Sequence, residues 1–139
     1  MVFGMFLLIG KSRIIRLLVS LFIILMLDFV YFSFFKGYFL SVISKVQKSP
    51  VVLNIAPMFL IYTILAGSLN YFIIEKKGSI LDAFLFGAVV YSTYELTNYV
   101  IFKNWPFKMV VIDSLWGGIL MASTVYISRT AFKLLSLKI

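Results

Sequence analysis

Residues 17–35 read LLVSLFIILMLDFVYFSFF, an apolar run interrupted only by Ser20, Asp28, Tyr31 and Ser33. A helix of about twenty residues, at 1.5 Å of rise per residue, matches the roughly 30 Å hydrocarbon thickness of a bilayer. Outward from this run, comparable blocks follow at 51–74, 80–102 and 109–128. The chain of 139 residues is 63% hydrophobic and 13% charged, with a mean hydropathy of +1.08. A water-soluble domain of this length needs more charge than that to cover its surface. The pattern predicts an all-α fold, an integral membrane four-helix bundle over residues 17–128. It leaves an interfacial basic segment at 1–16 and a basic tail at 129–139.

The first ten residues are apolar but too short to span, and Lys11, Arg13 and Arg16 follow them. A signal peptide carries its positive charge before its apolar core, so this order predicts a segment lying along the membrane instead. Lys36, Gly37, Lys45, Gln47, Lys48, Ser49 and Pro50 mark the first loop, and Glu75-Lys76-Lys77-Gly78 marks a tight polar turn. Pro57 is expected to kink the second helix or to sit in its first turns. In the last connector, Trp105 suits an interfacial anchor and Pro106 a helix start.

Thirteen basic against five acidic residues give a net charge of +8. The basic residues are spread between the apolar blocks rather than gathered in one run, which favours membrane lipids as partners over nucleic acid. Four crossings would place Lys11, Arg13, Arg16, Lys76, Lys77, Arg129, Lys133 and Lys138 on one side, against Lys36, Lys45, Lys48, Lys103 and Lys108 on the other. The excess predicts a multi-pass protein with cytoplasmic termini.

Cysteine and histidine are both absent. The usual thiolate and imidazole metal ligands, the cysteine nucleophile and the commonest general base are thereby excluded. No metal site, cofactor or catalytic residue is expected, and the chain is not read as an enzyme.

A charge in the hydrocarbon costs about 2.5–3.5 kcal/mol at a helix centre, so Asp28, Glu95 and Asp113 call for a reason. Each lies roughly 8–12 Å below the surface opposite the termini. On the third helix, Tyr91 and Glu95, and likewise Tyr94 and Asn98, stand one turn apart. Asp28, Tyr91, Tyr94, Glu95, Asn98 and Asp113 are therefore expected to meet as an intramembrane polar cluster. That cluster reads either as a packing clasp or as a proton, cation or headgroup site. Two small-residue pairs, Ala83 with Gly87 and Gly118 with Ala122, predict close helix contacts and leave self-association open.

Tyr91-Ser92-Thr93-Tyr94-Glu95-Leu96-Thr97-Asn98, then Asn104-Trp105-Pro106, then Val111-Ile112-Asp113-Ser114-Leu115-Trp116-Gly117 resemble, in order and spacing, the motifs of the membrane proteins grouped as domain of unknown function 2177. Asp28 resembles an aspartate near the end of that family's first apolar helix. The resemblance covers about residues 17–128. It implies four transmembrane helices and no established activity. The family's members occur in bacteria and in large icosahedral DNA viruses with an internal membrane, which makes the inner membrane and capsid of such a virion a candidate setting. With no catalytic motif present, the sequence points to a structural or assembly role, with partner proteins bound through termini and loops. The alternative is a small proton-coupled transporter or lipid-handling protein that uses the acidic residues.

Overall fold

The computed structural model describes residues 2–137, and among them every regular element is helical. The helices are α1 (Val2–Gln47), α2 (Ile55–Leu69), α3 (Ile80–Ile101) and α4 (Phe107–Leu134). A π-helical turn, Asn70–Ile74, continues α2. Pro57 lies in the first turn of α2, where its missing N–H costs no hydrogen bond.

The first helix departs from expectation. Instead of a helix at 17–35 with a separate segment before it and a loop after it, α1 is one helix of 46 residues. The physical reason is that nothing in this stretch stops a helix. The first proline is Pro50, and a lone Gly37 costs only about 1 kcal/mol against alanine. Beyond Gly37, Phe39 and Val42 are buried against the bundle, which holds the extra turns in place. Charge marks where a helix leaves the hydrocarbon, not where it ends. The helix stops where Lys48 turns left-handed at φ 58°. There the Gln47 amide donates to the carbonyls of Ser49 and Pro50 at 3.0 and 2.8 Å.

Three segments among the described residues are long and apolar enough to cross a membrane: Gly10–Gln47, Ile55–Ile74 and Phe107–Leu134. Four were expected. The 22 residues of α3 suffice in length, but the polar stripe from Tyr91 to Asn98 dilutes their apolarity.

The α3–α4 pair has the most extensive interface, and α1 packs on both α4 and α2. The predicted small residues make this closeness possible, since Ala83, Gly87 and Gly118 are buried while Ala122 is half-buried. Gly117, absent from the predicted pairs, matters as much. Its backbone stands against Gly87, and a Cβ added to Gly117 would lie 2.3 Å from the Tyr91 ring. One core gathers Ile24, Ala66, Leu69, Ile74, Leu120, Met121, Val125 and Phe132. A second, toward the other end, gathers Tyr31, Phe39, Val42, Trp105, Met109 and Val110.

At the first end, Glu75 Oε1 lies 3.4 Å from Arg13 Nε and 3.6 Å from Arg16 Nη2, and Arg129 donates to the Gly78 carbonyl. These contacts bring the early part of α1, the α2–α3 turn and the end of α4 to one end of the bundle. Lys138 lies outside the described residues. In the turn, Lys77 takes the left-handed conformation at φ 55°. Ser79 and Asp82 then cap α3 reciprocally, at 3.0 and 2.6 Å. Just inside this end, Asn70 donates to Ser20 Oγ at 3.0 Å and to the Ala66 carbonyl at 2.8 Å, joining the π-helical turn to α1.

Candidate functional site

The site forms where α1 and α4 cross near the opposite end. Asp28 and Tyr31 lie one turn apart on α1, as do Asp113 and Trp116 on α4, so each helix presents a carboxyl and a ring on one face. The two pairs exchange partners. Trp116 Nε1 donates to Asp28 Oδ1 at 2.8 Å, and the Tyr31 hydroxyl donates to Asp113 Oδ1 at 3.2 Å. The Tyr31 and Trp116 rings stack between these bonds at 4.3 Å and 6°. Position 28 thus faces 116 and position 31 faces 113, the register of an antiparallel pair.

Two further bonds extend the arrangement to the remaining segments. The Tyr62 hydroxyl of α2 donates to Asp28 Oδ2, so Asp28 ties α1, α2 and α4 together. Trp105, in the α3–α4 connector, donates through Nε1 to Glu95 Oε2 of α3 at 2.8 Å. Asp113 lies beside Glu95, near enough for the two carboxyls to interact. Every donor named here is an aromatic side chain, which suits this depth because the ring is at home in hydrocarbon while its N–H or O–H needs an acceptor.

A cavity of about 200 Å³ opens beside these groups, lined by Asp28, Tyr31, Phe32, Phe39, Ile43, Tyr91, Tyr94, Glu95, Trp105, Met109 and Asp113. Three carboxyls and no basic side chain line it. Glu95 is 0% exposed, with Trp105 on one side of its carboxyl and the Asp113 carboxyl on the other.

Five of the six residues expected to meet, Asp28, Tyr91, Tyr94, Glu95 and Asp113, line this one cavity. Asn98 is not among the lining residues, and its buried Nδ2 lacks a partner. The rest of the α3 stripe does not join a seam. Ser92 and Thr93 both donate to the Val89 carbonyl, and Thr97 donates to that of Thr93. Hydroxyls on a helix satisfy themselves on the preceding turn at little cost, so they have no need of the acids. Trp105, expected only as an interfacial anchor, is buried and bonds Glu95. Tyr31, Tyr62 and Trp116 were not singled out as site residues. For Tyr31 and Trp116 the signal was the carboxyl three residues earlier on the same helix; Tyr62 carries no local signal.

The family model described as Predicted membrane protein (DUF2177) matches residues 13–130. The chain belongs to this family. No curated protein and no solved structure matches it. The DUF2177 match takes in every residue of the acidic site, from Asp28 to Trp116, together with Arg13, Arg16 and Glu75 at the opposite end. It leaves out residues 2–12, the part of α1 that projects beyond the Glu75 pairing. In this DUF2177 protein the polar chemistry therefore belongs to the part of the chain shared with the family, and the apolar first turns of α1 lie outside that part.

Proposed function

We propose that this chain is a four-crossing membrane protein whose bundle is a structural scaffold, holding its shape in a cellular or viral membrane and presenting its helix ends to other proteins. The observation that carries this reading is the use of the three carboxyls. Asp28, Glu95 and Asp113 each accept a hydrogen bond from an aromatic side chain on another segment. Charge at this depth is expensive, and here it is placed where it joins α1, α2 and α4 and fastens α3 to its connector.

A crossing by α3 is supported by its lipid-suited face. Leu81, Leu85, Val89, Leu96 and Val100 are all exposed and recur at helical spacing down one side. At 22 residues, α3 covers about 33 Å. The basic excess at the Glu75 end supports a cytoplasmic setting for that end under the positive-inside rule. Accessibility labelling is clean because the native chain has no cysteine. Single cysteines at Val2, Lys77 and Leu135 are expected to label from one side of the membrane, and cysteines at Ser49 and Lys103 from the other. Lys77 and Lys103 labelling from the same side would remove α3 from the crossings.

The part of α1 that outruns the bundle supplies a contact surface. Residues 2–12 extend roughly 16 Å beyond the Glu75 pairing. A scaffold conducts nothing. Liposomes containing the protein, given a pH gradient, are expected to lose it no faster than protein-free liposomes. A proton flux that Glu95→Gln abolishes while thermal stability is kept would overturn the scaffold in favour of proton-coupled transport.

A further inference from the structure

We infer that the cleft between the π-helical turn Asn70–Ile74 and α3 is a docking site for an anionic phospholipid, its phosphate held at Lys76 and one acyl chain laid along the apolar floor. This goes beyond the scaffold reading, which assigns no ligand. It rests on α3 crossing the bilayer, which cysteine labelling at Lys77 and Lys103 tests separately.

The cleft exists because the bundle is not closed on this side. α2 packs on α1 and α3 on α4, and no comparable interface joins α2 or the π-helical turn to α3 among the described residues. Between them lies a cleft of about 600 Å³, a volume in the range of small-molecule sites. Its floor is Phe72, Ile73, Leu85, Phe86, Val89 and Val90, with the Phe72 ring of the turn and the Phe86 ring of α3 centred 6.3 Å apart. Leu85 and Val89 are exposed, so the cleft opens on the bilayer rather than into the bundle. From Asp82 to Val90 it follows α3 for roughly 12 Å, starting at the charged turn that marks the headgroup level. An apolar cleft at that depth is covered by lipid chains.

Charge complementarity selects the headgroup. Lys76 lines the mouth, and its Nζ lies 5.0 Å from the Tyr71 ring centroid and 5.5 Å from that of Phe72. The i to i+5 spacing of a π-helical turn sets Tyr71 below Lys76, and the two rings draw the ammonium back over the cleft wall. Among the described residues no carboxylate pairs with it. The ion pairs of this end join Glu75 to Arg13 and Arg16. Asp82 is committed to capping α3, its Oδ2 accepting from the Ser79 N–H and hydroxyl at 2.6 and 2.8 Å. Lys77 follows Lys76 in the chain, and Arg129 reaches the same turn by donating to the carbonyl of Gly78, itself a lining residue. Lys76, Lys77 and Arg129 outweigh Asp82, and the resulting positive rim attracts an anionic headgroup.

The full chain, delipidated in mild detergent, is titrated with dioleoyl phosphatidylglycerol and separately with dioleoyl phosphatidylcholine, and bound lipid is counted by native mass spectrometry. The expected result is saturable binding of phosphatidylglycerol, with a half-saturation concentration ~5-fold below that of phosphatidylcholine. Lys76→Gln should remove this preference by raising the phosphatidylglycerol value ~5-fold. Val89→Trp, which fills the cleft without altering charge, should weaken the binding of both lipids. Lys11→Gln removes a charge from the same end of the bundle, but Lys11 does not line the cleft, so neither lipid should be affected. Glycerol phosphate, a headgroup without chains, should not displace the lipid. The inference is overturned by equal binding of the two lipids, by a loss in Lys11→Gln as large as that in Lys76→Gln, by a Val89→Trp protein that binds like the wild type, or by displacement with glycerol phosphate.

Discussion

Gly87→Ala is expected to abolish most of the folded protein, a larger effect than any other single methyl group would have in this bundle. A Cβ at position 87 would lie 2.0 Å from the Gly117 carbonyl oxygen, 2.6 Å from its carbon and 2.7 Å from Met121 Cγ. The first two contacts are with backbone, which cannot swing aside as a side chain can, so α3 and α4 must separate along their shared face. Overpacking a close-packed interior typically costs 1–3 kcal/mol. With backbone on the opposing side, about 3 kcal/mol or more is expected here. Gly67→Ala is the matched control, because nothing stands within 4 Å of its added Cβ. It should leave stability unchanged or raise it by up to about 1 kcal/mol through helix propensity. Thermal unfolding of both variants in mild detergent checks the pair. A Gly87→Ala protein that melts with the wild type would rule out backbone contact between α3 and α4 at this position.

The second large effect is expected at Asp28, which accepts hydrogen bonds from two helices at once. Asp28→Leu leaves the Tyr62 hydroxyl and Trp116 Nε1 without acceptors. An interhelical hydrogen bond in a membrane averages about 0.6 kcal/mol and reaches about 1.7, and stranding a buried donor costs about 1–3 kcal/mol. A loss of about 2–3 kcal/mol is the expected sum. Leucine inserts into lipid far better than aspartate, but that gain is shared by the unfolded helix already in the membrane and largely cancels. Asp28→Asn should cost about half as much, because its oxygen serves one donor while its amide N–H₂ opposes the other. Tyr62→Phe should cost less again, removing one bond and stranding only one acceptor lone pair. The ordering Leu, then Asn, then Tyr62→Phe is the check, and an Asp28→Leu protein as stable as the wild type would remove the clasp as a source of stability.

Although α4 runs on to Leu134, six residues into the expected basic tail, membership of the bilayer, helical secondary structure and the limits of α2 and α3 within a few residues were all legible in the amino-acid order. Each depends on local quantities: block length against hydrocarbon thickness, capping and turn residues, and the spacing of charges. The extent of α1 was misread for a related reason. Lys11, Arg13, Arg16 and Lys36 mark the edges of the hydrocarbon, and a helix free of proline up to Pro50 has no cause to stop at those edges. The three costly acids could also be named from sequence, because charge at membrane depth stands out against its neighbours. Their shared depth followed from the rise per residue.

Which groups the acids bond was decided by tertiary structure. Asp28 is 34 residues from Tyr62 and 88 from Trp116, and Asp113 is 82 from Tyr31. No local pattern relates residues so far apart. The antiparallel register of α1 on α4 sets position 28 against 116 and 31 against 113, and the close approach of α3 at Gly87 and Gly117 brings Glu95 beside Asp113. Hydroxyls of Ser92, Thr93 and Thr97 looked like partners by composition, yet each already had an acceptor on its own helix. Amino-acid order sets what each position costs in lipid, whereas the packing of one helix on another sets which polar groups meet to offset that cost.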